Sequence, residues 1–330
     1  MVMMWASIVR FRRAPIRIGA ILLALALASL PAAAQTPEAQ PADPDATLVE
    51  ELVVTAHYGG PAFWRVEDAD TVVYVLGTPS VAPKRQQWDQ LLFMRRLRGA
   101  NVVILPARGL RVRLAGSPAA AISYLRLKSS TPYEERLPAT TKARFVVARE
   151  RVGQPAKHYG ANHPLAAALI LINDYREKHQ LTDQDPNKLI RLLAQQNRVP
   201  VQARTYDLGP LLSQVVKVPR SSAGVCLEEV LAEVEAGPGR TLAASRAWAE
   251  GNVLGALSAE RTYERCLSVA PGAAAFDARV KADLAAQIQT ALQKPGHAIA
   301  VVQLRPLLSQ GGVLDRLQKA GVTVRAPGGE

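Results

Sequence analysis

The stretch from Val72 to Pro83, V-V-Y-V-L-G-T-P-S-V-A-P, constrains the fold more than any other part of the chain. Val72 to Leu76 form an unbroken β-branched, aromatic and apolar run, which suits a strand buried on both faces and is too short for a buried helix. Gly77 and Thr78 end the run, and Pro79 and Pro83 prevent its continuation as strand. The chain therefore leaves the carboxyl end of a buried strand through a stiff loop. In open α/β sheets ligands sit at such places.

The same buried-strand pattern recurs. Val102-Val103-Ile104-Leu105-Pro106 reads as a second strand, and Trp88, Leu91, Leu92 and Leu97 at helical spacing predict a helix between the two over Arg85–Arg98. Strand, helix and strand of this length predict a right-handed βαβ unit with a parallel pair. Ala298 to Val302 is a third buried strand, Gly312 to Leu317 opens a helix, and Val322-Thr323-Val324 closes as a strand. Between these ends the chain is helical. Ala139–Arg151, Pro164–Lys178, Asp185–Asn197, Ala223–Ala236 and Arg240–Glu250 carry apolar residues at helical spacing, with Asp185-Pro186 expected as cap and first turn. The fold class expected is α/β: a mainly parallel sheet with βαβ units at both ends and a large helical insert at about 139–268. One domain spans 51–330.

Residues 1–34 read as a secretory signal peptide. Arg10, Arg12, Arg13 and Arg17 form a basic region, Ile21 to Leu30 an apolar core, and Ala32-Ala33-Ala34 a cleavage site. Cleavage after about Ala34 would deliver the mature chain, starting at Gln35, to the periplasm or outside the cell. A retained N-terminal anchor is the alternative. No later stretch approaches the roughly 20 apolar residues of a membrane span. The whole chain carries +12, and loss of the four leader arginines, which no Asp or Glu accompanies, leaves +8. Export argues against nucleic acid as the partner of that charge, so a solvated basic surface or attraction to an acidic envelope polymer or peptide remains. Residues 35–50, Pro-rich and acidic, read as a disordered linker. Glu51 to Ala56 reads as an edge strand or stiff lead-in.

Cys226 and Cys266 are the only cysteines. An even count in an oxidising compartment favours a disulfide, with two separate buried thiols as the alternative. The histidines are His57, His158, His163, His179 and His297. His158 and His163 are five apart and fall on different helix faces, so they do not read as a metal pair. Ser80, near Lys84, lacks a nucleophile elbow such as G-x-S-x-G and reads as a loop serine.

Gly60-Pro61-Ala62-Phe63-Trp64-Arg65-Val66, followed by the strand ending Gly77-Thr78, resembles the opening of the TraB/GumN (Tiki-like) family, which reads G-P-x-x-W-x-V and then an apolar strand ending G-T-x-H. Ala247-Trp248-Ala249-Glu250-Gly251-Asn252 resembles the family's W-x-x-G-D, and Gly312-Val313-Leu314 with Gly321-Val322-Thr323-Val324 its G-V-L closing segment. The resemblance implies a metal-dependent hydrolase, some relatives being proteases, with histidines in the metal site and a divalent metal such as manganese or cobalt as cofactor. The implied site positions are altered here. Ser80 and Pro306 stand at the family histidines, Leu105-Pro106-Ala107 lacks the expected carboxylate, Val280-Lys281 stands at the family's R-N, and Asn252 replaces its Asp. The candidate cleft is therefore Gly77, Thr78, Ser80, Gln303 and Arg305, with no metal ligand and no cofactor among them. Two functions follow. The first is a catalytically degenerate family member that binds an envelope polysaccharide or peptide. The alternative is a metal-dependent hydrolase whose site is rebuilt from other residues, for example with Glu250 or Glu260 entering the cleft.

Overall fold

A computed structural model describes residues 42–330 except 57–58, 112–117, 208 and 329–330. The expected signal peptide, residues 35–41 of the expected linker, and His57 lie outside the described residues.

The strands are β1 (Phe63–Glu67), β2 (Thr71–Thr78), β3 (Ala82–Pro83), β4 (Val103–Arg111), β5 (Leu181–Thr182), β6 (Val201–Asp207), β7 (Gly296–Gln303) and β8 (Thr323–Arg325). Six form one sheet in the order β6-β4-β7-β2-β1-β8, and β3 pairs with β5 in a small antiparallel ribbon. Parallel pairing joins β6, β4, β7 and β2, while β1 runs antiparallel to both β2 and β8. The protein is thus α/β with a mostly parallel sheet. β2 and β4 lie in one sheet but are not neighbours, as the expected βαβ pair required. β7 sits between them. Its residues Ala298 to Val302 are buried on both faces, so the most apolar strand takes the centre although it comes late in the chain.

Two apolar clusters fill the molecule. One surrounds the sheet and includes Trp64, Phe93, Trp248 and Leu314. The other lies within the helical insert and includes Phe145, Tyr159, Leu171, Val230 and Cys266. The insert helices follow their sequence signals closely. The helix Pro164–Lys178 has proline in its first turn, and His163 accepts the Leu165 N–H at its start. The helix Ala139–Val152 stops at Gly153, whose φ of 80° suits glycine. Cys226 and Cys266 are bridged, their Cα atoms 5.4 Å apart, joining the helix Arg220–Ala236 to the helix Thr262–Ser268.

Several local expectations are corrected. The helix after β2 spans only Leu91–Leu97, because Arg85 adopts φ 62° and Asp89 accepts the Leu91 N–H at 2.8 Å, starting the helix late. Asp185 does not cap its helix. The Asp185–Pro186 bond is cis, the Asp185 carboxylate accepts the Arg85 N–H at 2.7 Å, and the helix runs Asn187–Gln196. Glu50–Leu52 is one 3-10 turn, and no ladder includes Val53 to Ala56. From residue 42 the expected linker lies against the domain. Asp45 is 2% exposed, the Val49 N–H donates to the Leu308 carbonyl at 2.9 Å, and the Gln310 N–H donates to the Thr47 carbonyl at 2.9 Å. Composition reads the acidic residues here as solvated, whereas ion pairs with distant cations bury them. Among the described residues no helix is long and apolar enough to cross a membrane.

Candidate functional site

Parallel pairing of β2 with β7 sets Gly77 beside Val302 and Thr78 beside Gln303, so the two motif loops leave the sheet side by side. The crossing is tight. A Cβ on Gly77 would meet Leu304 Cδ2 at 2.4 Å and Trp64 Cζ3 at 2.8 Å, which makes glycine necessary for this close approach. Leu304 belongs to the short helix Leu304–Leu308, which starts where β7 ends and folds over Gly77. Trp248 reaches in from the helix Gly239–Ala249 and its Nε1–H donates to the Gly77 carbonyl at 2.6 Å. Trp88 packs against the Trp248 ring. Asn252 caps the short helix Val253–Ala256 by accepting the Gly255 N–H at 2.9 Å.

Of the sequence-derived residues, Gly77, Thr78, Ser80, Gln303 and Arg305 come together here. Thr78 is fully buried, its hydroxyl 3.5 Å from the Val302 carbonyl. A cavity of about 10 Å³ remains, lined by Pro79, Ser80, Leu257, Arg261, Leu304 and Arg305 among others. That is room for one water at most. Arg305 Nη2 donates to the Leu257 carbonyl at 2.7 Å and Nη1 to the Asp45 carbonyl at 3.4 Å. Its buried Nε has no hydrogen-bond partner among the described residues. Burial, and then the charge of Arg261, pull the Arg305 guanidinium below its ordinary value.

Apart from Lys281, which stands at the family's R-N, sequence reasoning missed the charged groups beside this cavity. Arg261 places Nε 2.7 Å and Nη2 2.9 Å from the two Asp43 carboxylate oxygens, and Nη2 also donates to Asp45 at 2.9 Å. Lys281 Nζ lies 2.5 Å from both Asp45 and Asp277, and the Ser309 hydroxyl donates to Asp45 at 2.7 Å. The side chains of Arg261 and Lys281 are each 5% exposed. Burial pushes the Asp43 carboxyl up, but hydrogen bonding to Arg261 and its charge outweigh this and hold it below the usual carboxylate range. Burial pushes Asp277 up. For Arg261 burial acts downward and the ion pair with Asp43 dominates upward, so the guanidinium stays charged. One signal was available. Asp43-Pro44-Asp45 carries turn chemistry, and the turn forms: the Ala46 N–H donates to the Asp43 carbonyl at 3.1 Å and the Asp45 N–H to the Asp43 carboxylate at 2.9 Å, which brings both carboxylates to Arg261.

The donor set does not fit a catalytic metal, which needs about three histidine, cysteine or carboxylate ligands and an open position. Among the described residues no three such side chains are placed to hold a metal ion, and the carboxylates of Asp43, Asp45 and Asp277 are taken up by Arg261 and Lys281. Two arginines occupy the strand ends instead. Glu260, a candidate rescuer, pairs with Arg240, and Glu250 ends its helix as the C-cap residue. The histidines are dispersed. His158 pairs with Asp174, His163 Nε2 contacts the Val218 carbonyl at 3.1 Å, His179 packs edge-on to Tyr175, and His297 Nε2 contacts the Arg96 carbonyl at 2.9 Å. A larger opening of about 650 Å³ lies where β6 ends, lined by Tyr206, Asp207, Pro210, Phe276 and Arg279 among others. Tyr206 donates to Asp283 at 3.1 Å, and burial pushes its phenol up to about 12. None of the altered motif positions faces this opening.

The fold and the strand-end loops thus define an α/β protein with a mostly parallel sheet, whose side chains at the ends of β2 and β7 are hydroxyl, amide and cationic. The chain belongs to the TraB/PrgY/gumN family, whose model matches residues 62–326. Neither the curated proteins nor the solved structures searched include a significant match to the chain.

Proposed function

We propose that this is a catalytically degenerate member of the family, exported to the periplasm or beyond the cell, that binds an acidic envelope component at the strand ends. One observation carries the reading. At the carboxyl ends of β2 and β7, where the family motifs meet, buried Arg261 and half-buried Arg305 stand in place of metal ligands, and the groups neutralising the cluster are carboxylates. Guanidinium groups bind carboxylates with fixed, bidentate geometry, as Arg261 does with Asp43. They repel divalent cations at the same distance. Export is supported by the Arg-rich leader with its apolar core and by the bridged cysteine pair.

The test is the metal content and hydrolytic activity of the mature chain, residues 35–330, purified without chelators. The expected result is substoichiometric manganese, cobalt and zinc, and no peptide cleavage that a chelator abolishes. Stoichiometric metal together with chelator-sensitive cleavage would establish the hydrolase alternative and overturn the degenerate reading.

A further inference from the structure

The strand-end cluster is built from two sources. Arg261, Lys281, Arg305 and Ser309 belong to the family-matched region, which starts at residue 62, whereas Asp43 and Asp45 precede it. Three cations here face three hydrogen-bonded carboxylates, those of Asp43, Asp45 and Asp277. Without the two from residues 43–45, Asp277, which pairs with Lys281, and Glu264, whose charge acts on Arg261, would face three cations. Side chains of Arg and Lys that are 5% exposed and lack carboxylate partners are expensive to bury. The folded domain therefore presents a cationic receptor, and a short turn over residues 43–46, from outside the matched region, fills it.

The way it is filled identifies the chemistry received. Asp45 takes hydrogen bonds on both carboxylate oxygens, from Arg261 on one and from Lys281 and Ser309 on the other. Asp43 is held bidentately by Arg261. The backbone on either side is read as well. Ser268 donates to the Ala42 carbonyl at 2.8 Å, Leu48 bridges Ser309 in antiparallel register, and on either side the Val49 N–H donates to the Leu308 carbonyl and the Gln310 N–H to the Thr47 carbonyl. Paired main-chain hydrogen bonds flanking two carboxylates describe a peptide of Asp-x-Asp type. A polyuronate offers the carboxylates without the amides.

We infer that Asp43-Pro44-Asp45 is a tethered, displaceable occupant of this cleft, and that the ligand it excludes is an acidic peptide with two carboxylates two positions apart. The inference rests on the binding reading above. With the segment in place, the cavity between the strand-end loops and Arg261 is about 10 Å³, too small for a peptide. A tethered occupant acts at an effective concentration of about millimolar, so a peptide of micromolar intrinsic affinity should appear weakened about 1000-fold while the segment is in place.

The experiment uses the mature chain and its Asp43→Asn/Asp45→Asn variant, with the labelled octapeptide Pro-Ala-Asp-Pro-Asp-Ala-Thr-Leu as probe. This is the sequence of residues 41–48. The variant should bind the probe about 1000-fold more tightly than the parent. The same peptide with asparagine at both aspartates should not bind. Where the variant does not fold alone, the probe, and not its asparagine form, should raise its melting temperature. A folded variant that ignores the probe, or an unfolded one that the probe does not rescue, overturns the inference. Equal binding of polygalacturonate and the probe overturns the peptide class. Metal analysis of the same preparations separates the two levels: a metal-free protein that ignores the probe sinks only the tethered occupant, whereas stoichiometric metal sinks the binding reading beneath it.

Discussion

His163 shows how one side chain couples local structure to solution conditions. It is 7% exposed, its Nδ1 accepts the Leu165 N–H at 3.3 Å and its Nε2 lies 3.1 Å from the Val218 carbonyl, so the neutral ring with its proton on Nε2 satisfies both partners. Burial first, and then the charge of Arg220, lower its proton affinity below that of an ordinary histidine at 6.5. The sign follows. Below about pH 6.5 the unfolded chain takes up a proton that the folded chain refuses, so stability is lost as pH falls from 7 toward 5, at no more than about 1.4 kcal/mol per pH unit. His163→Asn keeps an oxygen at the helix cap and removes the titration, so urea midpoints should flatten across this pH range relative to the parent. Parallel curves for the two proteins would exclude the coupling. From sequence His163 was readable only as a polar residue before a proline. Its burial depends on Val218, 55 positions away.

The elements that matter for the site were legible where their apolar runs were continuous. β2, β4 and β7 announce themselves because both of their faces are covered. β6 does not: Val201-Gln202-Ala203-Arg204 alternates half-buried and exposed positions at the sheet edge and reads as a polar connection. Trp248 was legible as the tryptophan of the W-x-x-G-D resemblance, and the structure adds the atom it serves. Its indole N–H satisfies the Gly77 carbonyl at the strand end, tying the insert to the site. Trp248→Phe keeps most of the ring and orphans that carbonyl, an expected loss of about 1–3 kcal/mol. Trp248→Ala adds a cavity and should cost about 3–5 kcal/mol. Thermal or denaturant unfolding compares the two, and a Phe variant as stable as the parent would show that the hydrogen bond contributes nothing net.

Across the whole molecule, the insert cluster is stapled from within by the Cys226–Cys266 bridge, which closes a loop of 40 residues that carries Trp248 of the sheet cluster. In the chain-entropy account such a loop contributes about 3–4 kcal/mol by restricting the unfolded chain. Cys226→Ser/Cys266→Ser, or reduction of the parent, should lower the denaturant midpoint by the corresponding amount. An unchanged midpoint on full reduction would remove the bridge from the list of stabilising features. The loop carries Trp248 and Arg261, so a smaller probe affinity in the unbridged protein is also expected.

Periodicity and turn chemistry in the sequence were sufficient to determine an α/β core, a helical insert, and the identity of the loops at 77–80 and 303–306, because buried strands and capped helices leave patterns within a few residues of themselves. The altered motif residues were equally plain, since Ser80 and Pro306 can be read without coordinates. Tertiary structure alone decided that β7 enters between β2 and β4, that Arg261 and Lys281 reach the strand ends, and that Asp43 and Asp45 meet them there. Those groups lie more than 200 positions apart in sequence, and their meeting is set by strand order and chain return. Local pattern carries no record of either, and an acidic, proline-rich segment looks the same whether water or a buried guanidinium neutralises it.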